Sequence, residues 1–328
     1  MGKAKALTLL IVIVLVVQSL VPHFKALLLI TEEFKQIPVK PLGLLTAKPE
    51  HEQITFETTS GKIIADTFVP PTRQVGNPGR PAIILVLGVK ASEDDKKIIF
   101  HFQETMARLG YIVMWPRLEE LDKGVGTIEE PETLAAAFRY LENMPQADTE
   151  RISFVGFSVG SSIAFVASSD PTISYKVHSL IFFGGYFDIF EYLESLATKT
   201  GWQPHEGATN HITEVARTKK LETVLKYIET GGNFEIKEDD ANLLKQINPR
   251  EFVTDFKAPI FILHSRSDTY VPYQEAIKLR DALPESQVKK FHLANLFEHV
   301  QPKTGLSHET IVEFAKLYGF LVRVLQFL

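Results

Sequence analysis

From Pro81 onward the apolar positions fall into a repeating rhythm. Ala82–Leu87 is an unbroken apolar run between Pro81 and Gly88, the pattern of a strand buried on both faces. Ile98–Leu109 carries helical spacing and closes at Gly110, and Tyr111–Trp115 is a second buried strand stopped by Pro116. Pro131–Leu141 is helical, with Leu134, Phe138 and Leu141 on one face, and Arg151–Val155 and Lys176–Phe183 supply further strands. Strands alternating with helices of this length predict βαβ units with right-handed crossovers, an α/β fold. Ahead of them, Gln53–Thr58 and Lys62–Phe68 alternate around Ser60-Gly61 as a hairpin at a sheet edge, and Pro70–Pro81 is loop. Past Gly184-Gly185 the rhythm breaks. Residues 186–256 hold no convincing buried strand and offer helical patterns at Phe187–Leu196, Leu221–Ile228 and Asp239–Ile247. Strands resume at Pro259–His264 and Val288–Leu293, and an amphipathic helix, His308–Leu328, ends the chain.

The first residues follow a different pattern. Lys3 and Lys5 precede Ala6–Pro22, which carries no charge. A spanning helix needs roughly 17–25 apolar residues. Residues 1–30 are therefore expected to be an N-terminal membrane helix outside the folded body, with a cleaved signal or a soluble packing helix as alternatives. The best cleavage match, Val17-x-Ser19, is poor. Lys3 and Lys5 favour an inside N-terminus and so a folded domain on the non-cytoplasmic side, secreted if the segment is removed. Residues 31–50, with Pro38, Pro41 and Pro49, are expected to be linker, and 51–328 the folded domain.

Composition narrows the classes. The 328 residues are 45% hydrophobic and 23% charged, ordinary globular values. Without cysteine there is no disulfide, thiolate metal site or Cys nucleophile. A net charge of −5 with scattered lysines and arginines points away from nucleic acid. His205-Glu206 followed by His211 lacks the i, i+4 spacing of a helical zinc motif, and the glycines form no P-loop or dinucleotide fingerprint, so no metal or cofactor is expected.

The chemistry-bearing stretch is Arg151-Ile-Ser-Phe-Val-Gly156-Phe-Ser158-Val-Gly160. A β-branched run stops at a glycine, a small-residue helix follows, and G-x-S-x-G lies between. Standing alone that pattern is often a chance match in a loop; flanked by strand and helix it reads as a nucleophile elbow that lifts the Ser158 hydroxyl above a sheet. Here the chain resembles the α/β-hydrolase superfamily. The resemblance implies a mostly parallel sheet with helices on both faces, a helical cap inserted at about 186–256, and a triad in the order Ser, acid, His. His264-Ser-Arg-Ser-Asp268-Thr-Tyr-Val271-Pro272 resembles the superfamily's acid loop, with Ser265 where glycine is usual, and makes Asp268 the acid; the alternative is a turn aspartate capping the next helix. Asp188, after Gly184-Gly185, is a rival acid. His299, after the last strand, is the expected base, with His292 and His308 as competitors. The oxyanion donors implied are the N–H groups of Val159 and Val89, although Leu87-Gly88-Val89-Lys90 departs from the superfamily's His-Gly-Gly-Gly. Lys90 reads as a solvated loop lysine. The aromatic residues Phe187, Phe190 and Tyr192 either line an acyl pocket or pack the cap on the body. The expected activity is a membrane-anchored serine hydrolase acting on a small-molecule carboxylic ester. A non-catalytic tethered module and an acyltransferase are the alternatives.

Overall fold

A computed structural model describes residues 19–34, 37–59, 61–71, 79–88, 93–118, 121, 128–298, 301–302 and 308–328, of which 93–96, 298, 301–302 and 308–311 are described by backbone alone. Its centre is an eight-stranded sheet in the order β1-β2-β4-β3-β5-β6-β7-β8. The strands are β1 Glu50–Thr58, β2 Gly61–Val69, β3 Arg80–Val86, β4 Ile112–Pro116, β5 Ala147–Phe157, β6 Ser179–Phe183, β7 Ile260–Ser265 and β8 Val288–Ala294. β1 and β2 form the expected hairpin, closed with Thr58 opposite Gly61, and β2 meets β4 antiparallel. Every other neighbouring pair is parallel. The sheet is therefore mostly parallel, with its order reversing about β3.

The continuous apolar runs exist because both faces are covered. In β3, Ala82, Ile84 and Val86 enter one core while Ile83, Leu85 and, just past the strand, Leu87 enter the other. β6 divides likewise, Leu180 and Phe182 against Ile181 and Phe183. Helix α1 (residues 19–33), the short turn α2 (Leu42–Leu45), α3 (Glu93–Arg108) and the last helix cover one face. The other is covered by α4 (Glu130–Glu142), α5 (Val159–Ala167) and the cap helices α6 (Ile189–Thr198), α7 (Glu206–Thr218), α8 (Glu222–Glu229) and α9 (Glu238–Lys245). Helix α10 (Gln274–Ala282) follows β7, and α11 (His308–Phe327) ends the chain. Phe165 of α5 stacks on Phe256 at 4.1 Å, where the cap returns to the body.

The expected N-terminal membrane helix is not supported. No helix among the described residues is long and apolar enough to cross a membrane, and most of Ala6–Pro22 lies outside those residues. The helical residues 19–33 carry Lys25, Glu32 and Glu33, and their inner side joins the core through Ala26, Leu29 and Ile30. His23 Nδ1 meets the Tyr318 hydroxyl at 2.8 Å, Lys25 donates to the Tyr111 hydroxyl at 3.2 Å, and Phe34 packs edge-on against Phe314 at 4.7 Å. Within residues 31–50, the Glu32 carboxylate accepts the Leu42 N–H at 2.8 Å, which pins α2 to the end of α1.

Candidate active site

β5 ends at Phe157, and the next residue turns the chain sharply into α5. Ser158 has φ 54° and ψ −138°, a conformation L-residues with a Cβ rarely adopt. Two close approaches fix it there. A Cβ on Gly160 would lie 2.2 Å from Leu87 O, so only glycine lets α5 start against the end of β3. A Cβ on Gly88 would lie 2.7 Å from Ser158 Cβ, so the loop after β3 passes directly beside the nucleophile candidate. The Ser158 N–H donates to Phe183 O at 2.8 Å, which ties the turn to the end of β6. The corner thus stands at the carboxyl ends of β3, β5 and β6, beside the reversal in strand order where open α/β sheets place ligands. Val159 opens α5, so its N–H is one of the first-turn donors with no intrahelical acceptor. Val89, the second donor expected, lies outside the described residues, as does Lys90; Gly88 just before them is in place.

Asp268 is buried in the loop after β7. Its Oδ1 accepts the N–H groups of Tyr270 at 2.8 Å and Val271 at 2.9 Å, so its carboxylate is held by its own loop. Oδ2 lies 3.2 Å from His264 Nε2, with both side chains fully buried. The same His264 Nε2 is 3.0 Å from Val271 O. The sequence signal for His264 is a polar residue at the end of an apolar strand, four residues before Asp268.

Residue 299 lies outside the described residues, but the chain up to Phe297 does not. Phe297 O accepts the Ser265 hydroxyl at 2.6 Å and the Ser267 hydroxyl at 3.2 Å. The Phe297 ring packs edge-on against Phe183 at 5.0 Å, the residue whose carbonyl holds Ser158. The segment leading to His299 is therefore attached both to the acid loop and to the floor of the elbow. The serine at 265, a departure from the superfamily's glycine, supplies a bond that glycine lacks.

The rivals sit elsewhere. Asp188 caps α6 by accepting the Phe190 N–H at 2.9 Å and pairs with Arg250 at 2.5 Å. His292 is half-buried in β8 with its ring 6.4 Å from Phe320 of α11, and burial lowers its pKa. The side chain of His308 is outside the described residues. Tyr192 stacks on Tyr186 at 5.7 Å and Phe187 is buried, so this aromatic cluster packs cap on body. Burial pushes both tyrosine hydroxyls well above their ordinary pKa and keeps them as donors. Beside Val159, an apolar cavity of about 20 Å³ is lined by Ile163, Leu193, Ile212 and Val215 of the elbow helix and cap. A larger groove of about 640 Å³ touches Val166 and Ala167 at the far end of α5, away from Ser158. Among the described residues no group of acidic or histidine side chains is arranged to hold a metal ion.

Comparison with known proteins bears on the fold. The prolyl oligopeptidase family matches residues 204–327, a stretch that contains Asp268 and His299 and begins after Ser158. No curated protein matches. Among solved structures, a 2,6-dihydroxy-pseudo-oxynicotine hydrolase is similar at 14% identity and a TM-score of 0.57, over 84% of this chain and 68% of that one. An acylaminoacyl peptidase from Pyrococcus horikoshii is 16% identical with a TM-score of 0.56, over 88% of this chain and 43% of its own. An esterase from Pyrococcus furiosus is 16% identical with a TM-score of 0.52, over 86% of this chain and 95% of its own. The chain thus spans less than half the length of the acylaminoacyl peptidase. These likenesses carry the fold, and with the family match they support a serine hydrolase of the α/β-hydrolase type. The mostly parallel sheet, the strained Ser158 at its carboxyl edge and these matches give the chain an α/β-hydrolase-like fold and indicate the α/β-hydrolase superfamily.

Proposed function

We propose that this protein is a serine hydrolase that cleaves carboxylic esters through an acyl-enzyme, with Ser158 as nucleophile, His299 as base and Asp268 as the acid that orients it. The observation that carries the reading is the positive φ of Ser158, a strained backbone that serves to present a hydroxyl. In this reading Ser158 Oγ attacks the ester carbonyl as His299 takes its proton. The oxyanion rests on the N–H groups of Val159 and Val89. His299 then protonates the departing alcohol, and water, deprotonated by the same imidazole, releases the acid. The base acts in its neutral form, so activity rises through neutral pH. A fluorophosphonate should label the wild type and not Ser158→Ala. A folded wild-type protein that takes no label would end the proposal.

The family match favours a second substrate, the amide of a short peptide. Side-by-side kcat/KM values on matched p-nitrophenyl esters and p-nitroanilides separate the two, and an amide rate equal to the ester rate would favour the peptide.

The same proposal seats the protein on a membrane surface through its N-terminal segment. Support comes from where apolar side chains are exposed. Leu20, Val21, Phe24, Leu27, Val39, Leu44 and Leu45 all lie within residues 20–45, against Ile64, Ile98, Tyr175 and Val312 in the rest of the described chain. Clusters of this kind mark interaction surfaces. Co-flotation with phosphatidylcholine–phosphatidylglycerol vesicles, reduced in Leu20→Gln/Phe24→Gln/Leu27→Gln, is the expected result; a full chain that stays at the bottom of the gradient refutes the assignment.

A further inference from the structure

Three consecutive carbonyls of the acid loop are held by the cap. Trp202 Nε1 donates to Asp268 O at 2.8 Å, the His205 N–H to Thr269 O at 2.6 Å, and the Tyr192 hydroxyl to Tyr270 O at 2.8 Å. The three donors come from α6, from the connection after it and from the residue that caps α7, so the grip spans the near half of the cap. The His205 ring also stacks on Tyr270 at 4.6 Å and 20°. The root of the cap is fixed just as firmly. The buried Glu275 carboxylate of α10 accepts the N–H groups of Phe187 at 3.0 Å and Asp188 at 2.8 Å, and the Asn248 side chain accepts the Ile189 N–H at 3.0 Å.

These contacts change what the cap is. Loop carbonyls have no ladder partner, so their orientation is set by whatever donates to them. Here the donors fix the three peptide planes that run from Asp268 to Val271, and the N–H groups of Tyr270 and Val271, which lie in the second and third of these planes, are the ones that hold the Asp268 carboxylate. The geometry points to Trp202, Tyr192 and His205 as positioning residues for the catalytic acid, so that the cap holds the triad in register and cannot lift away as a free lid without releasing Asp268. This rests on the assignment of Asp268 as acid. It also gives the small cavity beside Val159 a consequence: a bulky acyl group that pries α7 from α5 pulls on the acid loop as well.

The test uses the full chain and two variants, Tyr192→Phe, which keeps the ring and removes its donor, and Trp202→Phe, which replaces the indole by a smaller aromatic ring and removes its donor. Hydrolysis of p-nitrophenyl acetate and amide hydrogen exchange are measured on the same samples. Loss of one hydrogen bond to the loop is expected to lower kcat about five- to ten-fold with KM changed less than about two-fold, and to speed exchange at Tyr270 and Val271 by a similar factor. Exchange within β7 should stay as in the wild type. Unchanged exchange at Tyr270 and Val271 in both variants overturns the inference, as does faster exchange with unaltered kcat. A wild type that hydrolyses no ester and takes no fluorophosphonate would sink the proposed function instead, and the exchange data would still decide whether the cap holds the loop.

Discussion

Ser265→Ala removes one hydroxyl at the joint between the acid loop and the segment that runs on to His299. Ser265 is fully buried and its Oγ donates to Phe297 O at 2.6 Å, while Ser267 Oγ reaches the same carbonyl at 3.2 Å. In the single variant the carbonyl keeps its longer donor, so the main loss is that of one neutral hydrogen bond, about 1 kcal/mol, with the long 3.3 Å contacts from the Ser267 N–H and hydroxyl to Ser265 Oγ lost beside it. Ser267→Ala removes the weaker contact and costs roughly half as much. In the double variant a buried carbonyl has neither hydroxyl, a penalty of about 2–3 kcal/mol, which exceeds the sum of the singles. Ser265→Gly, which restores the superfamily's usual residue, should fall below Ser265→Ala because a glycine in a strand adds about 0.5–1 kcal/mol of backbone entropy to the same lost bond. Thermal unfolding reads these differences at about 2 °C per kcal/mol for a chain of this size. The rate of fluorophosphonate labelling should fall in the same order, since the tether lies two residues ahead of the proposed base. Additive behaviour of the double variant, or a Ser265→Ala protein that matches the wild type in both melting and labelling, would refute the reasoning.

Asp268→Asn should lower ester hydrolysis by about 10³–10⁴-fold through the wrong imidazole tautomer, while Asp188→Asn, which only weakens a helix cap and a half-exposed ion pair, should keep activity within a few-fold and cost about 1 kcal/mol in urea melts. Equal losses in the two would reassign the acid. Gly160→Ala places a Cβ 2.2 Å from Leu87 O and 2.7 Å from Val86 O, so α5 must back away from β3; a loss of about 3 kcal/mol or more and no labelling are expected, and an unaltered melting temperature would contradict the packing. Burial, followed by the charges of Arg151 and Arg80, lowers the Lys25 pKa to about 8 from 10.5. Below about pH 8 folded and unfolded chains both hold that proton and the fold bears the full cost of the buried charge; between about 8 and 10.5 the unfolded chain binds more protons, so rising pH relieves the cost. Wild type should gain stability on Lys25→Met across that window, and a flat difference in pH-dependent melts would count against it.

The sheet was legible because its strands are apolar on both faces, so β3, β4, β6 and β7 read as unbroken runs. β5 starts at Ala147, four residues ahead of the expected Arg151, because its first residues are a polar overhang that pairs only through Ala147 and Arg80. Helix α7 escaped notice. Its buried stripe is Ala208, His211, Ile212, Val215 and Ala216, regular i, i+3, i+4, i+7, i+8 spacing carried largely by small and polar residues. At the N-terminus, apolar content alone cannot tell lipid from protein; what separates them is polar partners far along the chain, Tyr111 for Lys25 and Tyr318 for His23. Ser158 and Asp268 stand out in the sequence because their motifs are local, and the structure puts the first at a strained corner and the second buried after β7. The grip of Trp202 and Tyr192 does not stand out there, since a backbone carbonyl acceptor leaves no mark in a sequence.

That grip follows from topology. β6 and β7 are parallel neighbours, so the chain joining them leaves from the carboxyl edge of the sheet and must cross one face to re-enter at the other end. Here the crossover holds four α-helices rather than one. The loop after β7 emerges from the same edge one strand away. Its peptide groups lie past the last pairing of β7 with β8, which ends at Ser265 opposite Ala294, so they need donors from somewhere other than the sheet. The nearest large element with side chains to spare is the inserted one. An insertion at this point of the chain therefore meets the acid loop before it meets any substrate, and the division of its surface follows. Residues such as Arg217 and Glu214, paired on the outer side of α7, can vary with little effect, while Trp202, Tyr192 and the residue at 205 answer for the geometry at Asp268.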